Sequence, residues 1–325
     1  MDNNESITNN INDVIVWPIP AEILESPSVT NRNLFAQKLK DENPNKILQT
    51  YAYFDCLEID SFYSSVFDLI PDIKLVGAGV ELGAGTCGFT SAVCKKFSDI
   101  KTIHAVELVP DVVRLLQPKT ILSICGEKAG KIERVIGSFD NLQLADESTD
   151  FAIEVESLHH SDNIEKTLRE VHRVLKIGGL LIILDRVHNN SLSEEQIEFM
   201  LNVEYSDEWK IKNGYDMSTL TRRDNGEHEI RLTEWMTALE KTGFSIEKRL
   251  ELREISLKKI IKSLILTLPF KVRKFLNIFP SRAMPQEGEL LWMLRHLLKY
   301  KKKSKNYLFK RSIRDYTIFV ARKSA

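Results

Sequence analysis

The stretch that decides the fold of this 325-residue chain is Gly79-Val80-Glu81-Leu82-Gly83-Ala84-Gly85-Thr86-Cys87-Gly88-Phe89-Thr90. A short apolar run ends there in an acid, breaks into three closely spaced glycines and is followed by helix-compatible sequence. Glycine adopts positive φ without strain and lets a ligand approach where a Cβ would clash. The free N–H groups at the start of the following helix, predicted over roughly 88–98, point towards the same place. The stretch therefore predicts a strand, a glycine turn and a helix that together hold a nucleotide-sized ligand.

Strand and helix patterns alternate after this stretch. Strands are predicted at 78–82, 102–107, 132–136, 149–155 and 180–184, and the last of these is wholly apolar. Such apolar runs are typical of strands buried on both faces of a parallel sheet. With later strands at 244–248 and 316–320, the pattern predicts an α/β fold with a doubly wound, mostly parallel seven-stranded sheet.

Capping signals set the boundaries of three predicted helices. Ser161 or Asp162 caps a helix over 162–175, which Gly178-Gly179 ends. Ser193 begins a capping box whose helix runs to about Trp209. Thr233 caps a helix that ends at Gly243.

Composition divides the chain into four parts. Residues 1–45 are expected to be a disordered or loosely structured arm with one short helix near 31–40. Residues 46–250 are expected to form the core, beginning with helices between 47 and 69 that cover the glycine turn as a lid. Residues 251–314 are expected to be a basic helical insertion. Residues 315–325 return to the core as its final strand.

The formal net charge of −1 hides a separation of charge along the sequence. Residues 251–325 hold 19 Lys and Arg against 5 Asp and Glu, whereas residues 1–250 hold 26 against 41. Apolar residues between 255 and 279 alternate with lysines in the manner of amphipathic helices. Three interpretations stay open: docking onto the acidic body, a homodimer contact, and peripheral contact with an anionic membrane. The acidic body makes nucleic acid an unfavourable partner.

The sequence predicts a cytoplasmic protein. Its four cysteines form no C-x-x-C pair, and no apolar segment of the signal type occurs near residue 1. No apolar stretch reaches the ~18 residues that a membrane span needs. We therefore expect a reduced, intracellular chain. Contact with the inner face of the membrane stays open because of the basic insertion.

Four stretches of the core carry a resemblance to a known family. They are the glycine stretch from Glu81 to Gly88, Glu107 at the end of the second strand, Gly137-Ser138-Phe139, and Leu168-Arg169-Glu170-Val171-His172-Arg173-Val174-Leu175-Lys176-Ile177-Gly178-Gly179. In these stretches the chain resembles the class I S-adenosylmethionine-dependent methyltransferases of the small-molecule type. The resemblance covers about residues 75–250 and 315–322.

The resemblance implies a Rossmann-like methyltransferase fold with S-adenosyl-L-methionine as cofactor. Glu107, 22 residues after Gly85, lies where the family's acid accepts both ribose hydroxyls in charge-assisted hydrogen bonds. Ser138 departs from the acid usual in the family, and Ile177 departs from its proline. The residues that the resemblance assigns to the cofactor are Glu81, Gly83, Ala84, Gly85, Gly88, Glu107, Ser138, Phe139 and Glu156.

The glycine spacing leaves a second ligand open. Gly83-x-Gly85-x-x-Gly88 also fits a dinucleotide fingerprint, so an NAD-dependent oxidoreductase is an alternative. That alternative explains Glu107 but neither the turn from Arg173 to Gly179 nor the late strand at 316–320. A catalytically inactive methyltransferase-fold scaffold is a further alternative, although a scaffold needs neither the glycine turn nor Glu107.

Polar residues at two strand ends are candidates for chemistry, because ligands of open α/β sheets bind beyond the carboxyl ends of the strands. Histidine titrates near neutrality, so His160, His159 and His188 are the candidate bases that remove a proton from an acceptor hydroxyl. Arg186 is expected either to bind an anionic acceptor or to form a surface ion pair. A metal held by the three histidines is disfavoured. Neighbouring histidines rarely chelate together, and no Cys or third clustered acid supports them.

The excursion over 205–231 is expected to roof an acceptor pocket, or else to be a loop that faces solvent. Its aromatic and polar residues are Tyr205, Trp209, Tyr215, Arg222, Arg223, His228 and Arg231. This mixture suits a hydroxylated acceptor such as a sugar. The sequence therefore favours O-methylation of a small molecule or glycan, with N-methylation of a small molecule as the alternative.

Overall fold

The computed structural model describes residues 13–51, 66–215, 219–252, 271–272 and 316–324. Within these ranges the chain forms one eight-stranded sheet. Its strands are β1 (Val14–Val16), β2 (Gly77–Leu82), β3 (Ile100–Glu107), β4 (Ile132–Ile136), β5 (Thr149–Val155), β6 (Leu175–Asp185), β7 (Phe244–Leu252) and β8 (Tyr316–Lys323). Among the described residues, no helix is long and apolar enough to cross a membrane.

The strands are arranged in the order β1-β4-β3-β2-β5-β6-β8-β7. All neighbouring pairs are parallel except those of β8, which runs antiparallel to both β6 and β7. The order reverses between β2 and β5, and this reversal places their carboxyl ends at a topological switch point, where ligands of open sheets bind. The α/β fold with a doubly wound, mostly parallel sheet is confirmed.

Helices lie on both faces of the sheet and enclose two separate apolar clusters. They are α1 (Ala21–Leu24), α2 (Pro27–Leu39), α3 (Pro44–Tyr51), α4 (Gly88–Lys96), α5 (Gln117–Cys125), α6 (Ile164–Val174), α7 (Glu194–Leu201), α8 (Asp207–Lys212) and α9 (Leu232–Lys241). A π-helical turn over Val112–Leu116 precedes α5. The middle strands are buried on both faces, as their apolar sequences predict.

The sheet has one strand more than the seven predicted. Strand β1 pairs in parallel with β4, and Trp17 continues the ladder by donating to the Ile136 carbonyl at 2.9 Å. Three residues with no period-2 pattern do not identify a strand, so the sequence gives no signal for β1. The region near it also holds more helix than the single short one expected near 31–40, because both α1 and α2 precede residue 40.

Each of the three helices predicted from capping signals has at least one boundary that is wrong. Helix α6 is capped by Asn163, whose side chain accepts from Lys166 N at 3.0 Å, and not by Ser161 or Asp162. The chain then enters β6 at Leu175, so Gly178-Gly179 lies inside a strand, because Leu175 already pairs with Thr149 of β5.

In two further helices the observed boundaries also differ from the predicted ones. The capping box at Ser193 is confirmed, but α7 ends at Leu201 and α8 begins separately after Ser206, whose hydroxyl accepts from Trp209 N. Helix α9 begins at Leu232 after an Arg231 cap, and Thr233 is its second residue. Local sequence admits several caps within one turn, and tertiary packing selects among them.

The structure describes part of the predicted lid but almost none of the basic insertion. No described residue between 47 and 69 lines the cavity at the switch point, whereas residues of α1 and α2 do. The amphipathic segments between 255 and 279, apart from residues 271–272, and the lysine-rich run near 300 lie outside the described residues. Their membrane or dimer contact stays a prediction.

Candidate active site

A cavity of about 620 Å³ opens beyond the carboxyl ends of the central strands. This volume lies within the range of roughly 300–1,000 Å³ that is usual for small-molecule sites. Its walls include the residues that follow β2, β3, β4, β5 and β6, together with α1, α2 and the segment from Tyr205 to Glu227. All nine residues that the sequence assigns to a cofactor contribute to the lining.

The cavity has two ends. We call the part lined by residues 81–89, 106–109 and 137–140 the glycine end. The part lined by His159, His160 and Arg186 with residues 205–227 is the histidine end.

The glycine end is built around the turn after β2. Gly83 and Gly85 have φ of 67° and 51°, which L-residues with side chains rarely adopt. A Cβ on Gly83 would lie 2.4 Å from Cβ of Ser157, so the close approach of β5 also requires glycine there. A Cβ on Gly85 would meet nothing within 4 Å, which leaves space at that point of the turn.

Glu107 closes this turn from the end of β3. Its Oε2 accepts a hydrogen bond from Gly85 N at 2.8 Å, and its Oε1 accepts from Val109 N at 2.9 Å. Two backbone donors fix the carboxylate, and each oxygen keeps a second acceptor position. Glu107 is therefore oriented at the cavity wall with capacity for two further donors.

Glu81 lies beneath the turn and is almost wholly buried. Burial raises the pKa of Glu81 to about 8, although the Thr90 hydroxyl donates a hydrogen bond to its carboxylate. The negative charge of Glu107 acts in the same direction as burial. Glu81 is thus a neutral acid near pH 7 in the described structure.

Ser138, Phe139 and Asp140 follow β4 and complete the glycine end. Ser138 Oγ accepts from Asp140 N at 3.2 Å, and Thr167 donates its hydroxyl to the Asp140 carboxylate. Burial raises the pKa of Asp140. A carboxyl group therefore lies two residues beyond the position where Ser138 replaces the family's acid.

At the histidine end, His159 is held by the last residue of β6. Its Nδ1 lies 2.7 Å from Asp185 Oδ1, and its backbone N donates to Asp185 Oδ2 at 3.0 Å. Burial opposes ionisation of Asp185, but the neighbouring His159 and its hydrogen bond hold the pKa of Asp185 below its ordinary value. An ionised Asp185 fixes a proton of His159 on Nδ1, and Nε2 lies 3.9 Å from Glu227 Oε2.

His160 is held in the same tautomer by a different partner. Its Nδ1 donates to the Gly226 carbonyl at 2.8 Å, so Nε2 carries the lone pair. Burial, with the neighbouring His159, Arg32 and Arg186, holds the pKa of His160 well below its ordinary value. His160 is half-buried and neutral near pH 7.

Glu227 forms hydrogen bonds or ion pairs with four side chains of the histidine end. Its Oε1 accepts from the Tyr205 hydroxyl at 3.0 Å and from Asn225 Nδ2 at 3.3 Å. Its Oε2 forms an ion pair with Arg186 Nη2 and accepts from Arg222 Nη2 at 3.4 Å. Burial opposes ionisation, but Arg186 holds the pKa of Glu227 well below its ordinary value. Arg186 therefore does not form the surface ion pair considered from the sequence, because its pair with Glu227 is buried.

Three stacked aromatic side chains begin beside Glu227 at Tyr205. The ring centroids of Tyr205 and Trp209 are 3.8 Å apart, and those of Trp209 and Tyr215 are 5.7 Å apart, with both pairs nearly parallel. All three side chains line the cavity. The excursion therefore contributes a cavity wall, while Arg222, Arg223, His228 and Arg231 do not belong to the lining.

His188 is placed elsewhere. It is buried in an ion pair with Glu229, which Arg222 Nε also contacts at 2.8 Å, and it does not line the cavity. The three histidines named from the sequence are therefore not brought together.

Among the described residues, His159, His160 and Glu227 form the cluster of metal-ligand type, with one ligand atom of each within 4.8 Å of the others. The four acceptor positions of Glu227 are already taken, so we assign no metal to this cluster.

Sequence reasoning missed Glu227, Asn225 and Arg32. Glu227 and Asn225 lie in an excursion without regular periodicity, and Arg32 lies in a helix some 50 residues before the glycine turn. No motif spacing joins these positions, so no local signal could have found them.

Residues 80–183 match the family model described as a methyltransferase domain. The match covers the glycine turn, Glu107 and the histidine pair. This stretch is therefore similar to a methyltransferase domain. It lies within the Rossmann-like sheet, and β1, β7 and β8 add strands outside the matched range.

Solved structures with a similar fold include methyltransferases. A candidate methyltransferase of Bacillus halodurans is 16% identical, with a TM-score of 0.49, over 80% of this chain and 98% of that one. A candidate sarcosine dimethylglycine methyltransferase of Galdieria sulphuraria is 19% identical, with a TM-score of 0.49, over 82% and 86%. A phosphoethanolamine N-methyltransferase of Haemonchus contortus, solved with S-adenosylhomocysteine, is 15% identical, with a TM-score of 0.47, over 95% and 62%. Similarity at this level carries no information about the substrate. A comparison with curated proteins found no match.

Proposed function

We propose that the protein transfers the methyl group of S-adenosyl-L-methionine to a hydroxyl oxygen of a small molecule or glycan. One observation carries the proposal: a single cavity joins the glycine turn and Glu107 to an imidazole whose tautomer is fixed. Methyl transfer needs a bound methyl donor, an acceptor placed in line with it and, for a hydroxyl, a proton acceptor. We propose that the glycine end binds the methyl donor and that the histidine end binds the acceptor and takes its proton.

The glycine end fits the methyl donor. The space beside Gly85 would be narrowed by any Cβ, and Glu107 offers free acceptor positions of the kind that two ribose hydroxyls need. Ser138 and Phe139 line the wall where the adenine would lie, with Asp140 nearby as a polar partner. When bound, S-adenosylmethionine supplies an electrophilic methyl group on a sulfonium.

The histidine end supplies the proton acceptor. The Gly226 carbonyl holds the proton of His160 on Nδ1, so Nε2 can accept a hydrogen bond from an acceptor hydroxyl and then take its proton. His159 Nε2 is a second candidate, since Asp185 fixes its proton on Nδ1 and would stabilise the imidazolium. We propose His160 as the base because it is the more exposed of the two.

Calorimetry with S-adenosylmethionine, S-adenosylhomocysteine and NAD tests the cofactor. We expect heat with the first two and none with NAD; NAD binding without S-adenosylmethionine binding would overturn the proposal in favour of an oxidoreductase. Incubation with methyl-labelled S-adenosylmethionine and fractionated cell extract then tests the acceptor. Label recovered on oxygen supports O-methylation, whereas label on nitrogen would replace it with N-methylation.

A further inference from the structure

The polar groups of the histidine end mostly satisfy one another. Glu227 accepts from Tyr205, Asn225, Arg186 and Arg222, which fills its four acceptor positions. Asp185 accepts from Nδ1 and the backbone N of His159 and from Arg186 N, and it is fully buried and does not line the cavity. Neither carboxylate is therefore open to a substrate. Whatever recognises the acceptor there must use groups that remain unpaired.

Arg186 keeps unpaired donors. Its side chain is 3% exposed and lines the cavity, and Nη2 is its contact with Glu227. Its Nε and Nη1 have no hydrogen-bond partner among the described residues. Native proteins rarely leave buried donors unpaired, and such groups commonly await water or a ligand. Arg186 therefore lines the cavity and keeps two buried donors without a partner, and an oxygen of a bound ligand would supply one.

His160 keeps an unpaired acceptor close by. With Nδ1 donating to Gly226, Nε2 has only its lone pair to offer, and within the described ranges no group donates to it. A ring nitrogen of His160 lies within 4.8 Å of the Glu227 carboxylate that Arg186 also contacts. The guanidinium of Arg186 and the imidazole of His160 thus both lie beside Glu227 at the histidine end.

The surrounding charge selects neutral oxygens over anionic ones. The carboxylates of Glu227, Glu156, Asp185 and Glu229 all act on the Arg186 guanidinium. The charge of Arg186 is already paired with Glu227, so an anionic acceptor gains less there than it would at an unpaired guanidinium. An uncharged oxygen accepts the same hydrogen bonds without competing for that charge.

Building on the proposed function, we infer that the acceptor is a neutral vicinal diol. One hydroxyl donates to His160 Nε2 and is methylated, while the adjacent oxygen accepts from Arg186. The O–H bond breaks as the new O–CH₃ bond forms; the proton passes to His160, and the sulfonium leaves as the neutral thioether. The wall formed by Tyr205, Trp209 and Tyr215 offers an apolar face to the carbon skeleton of such a compound.

Two kinds of compound carry this chemistry, and separate assays distinguish them. Methyl hexopyranosides represent saturated diols, and catechol represents planar ones. Each is tested for transfer of label from S-adenosylmethionine and for binding to the enzyme saturated with S-adenosylhomocysteine. Matched probes that lack the neighbouring oxygen are the monodeoxy hexopyranosides and phenol, and lactate is the probe with an anionic neighbour.

The variant Arg186→Lys keeps the positive charge but removes the additional planar donors. We expect it to raise KM for the diol roughly 10- to 100-fold, the factor for a lost hydrogen bond with a charged group, with the affinity for S-adenosylhomocysteine unchanged. The matched control is Arg223→Lys, because Arg223 pairs with Glu198 at the surface and does not line the cavity. We expect its KM to stay within about threefold of wild type. Thermal unfolding of both variants shows whether they are folded.

A double-mutant cycle between protein and substrate gives the sharpest result. Removing the neighbouring oxygen from the substrate should raise the KM of the wild-type enzyme by the same factor as the Arg186→Lys substitution does. The KM of the Arg186→Lys enzyme should not rise further when that oxygen is removed. Equal losses in both enzymes would overturn the inference, as would binding of lactate in preference to both diols. A protein that binds S-adenosylmethionine but neither binds nor methylates the two diols would also overturn it, while leaving methyl transfer intact. A protein that does not bind S-adenosylmethionine would instead contradict the proposed function.

Discussion

The glycine end and the histidine end of the cavity differ in what forms them. At the glycine end, one turn and the end of the next strand supply backbone N–H groups, open space and a single oriented carboxylate, Glu107. At the histidine end, side chains from β5, β6 and the segment from Tyr205 to Glu227 pair with one another around Glu227. In the proposed function, the glycine end binds its ligand through backbone shape, and the histidine end binds through the groups that its ion pairs leave unpaired.

The two ends also hold their acids in opposite states. Burial with one hydroxyl donor leaves Glu81 protonated near neutral pH, whereas burial beside Arg186 leaves Glu227 ionised. The comparison shows that burial alone does not decide the charge of a carboxyl group. A paired guanidinium outweighs desolvation, and a single threonine does not.

The largest effect is expected from Glu81→Gln on stability. The folded-state pKa of about 8 exceeds the ordinary 4.5, so the folded protein binds more protons than the unfolded chain between these values. The free energy of unfolding should therefore fall as pH rises from 5 to 8, by roughly 3 kcal/mol at 1.36 kcal/mol per pKa unit. Glu81→Gln should remove this decrease in urea unfolding curves measured across the range. If the free energy of unfolding depends on pH in the same way in Glu81→Gln as in the wild type, Glu81 is ionised in the folded protein, as Glu227 is.

The next effect concerns the histidine end. His160→Ala should slow turnover about 10²-fold or more, the usual range for loss of a general base, and leave the affinity for S-adenosylmethionine unchanged. His159→Ala measures the second candidate. His188→Gln is the control, because His188 pairs with Glu229 behind the cavity wall. Near-normal rates in all three would mean that positioning alone drives the reaction.

Glu107→Ala tests the glycine end. We expect the affinity for S-adenosylmethionine to weaken by about 1.5–3 kcal/mol, as for a lost hydrogen bond with a charged group, with little change in turnover at saturation. Calorimetry measures the affinity. Glu107→Gln, which retains an acceptor for the turn, separates loss of charge from distortion of the Gly85 backbone. Unchanged affinity in both variants would place the ribose contact on another residue.

The smallest effect is on the pH profile. A base must be unprotonated, and the pKa of His160 is held well below its ordinary 6.5. The acid limb of kcat/KM should therefore lie below pH 6.5, and activity should persist through pH 6. A limb at or above pH 6.5 would identify a different base, because the positive sulfonium of the cofactor would lower the pKa of His160 further.

The sequence determined the parts of this protein that depend on neighbouring residues. Three glycines and an apolar strand in 12 residues encode the turn, and an acid at the end of the next strand encodes Glu107. The apolar run that ends at Asp185 identified a central strand, since only a strand buried on both faces needs such a run. Helix caps were less certain, because polar residues within one turn compete for the same backbone donors.

Tertiary structure alone decided the histidine end. Asp185 and His159 are 26 residues apart, and Glu227 reaches Arg186 from an excursion that has no periodicity. It also decided which residues form one site, separating His188 from His159 and His160, which had looked equivalent along the chain. Parallel strands bring their ends to one edge by a rule that sequence patterns reveal. The pairing of charges at that edge depends on distances and burial that exist only after the chain has folded.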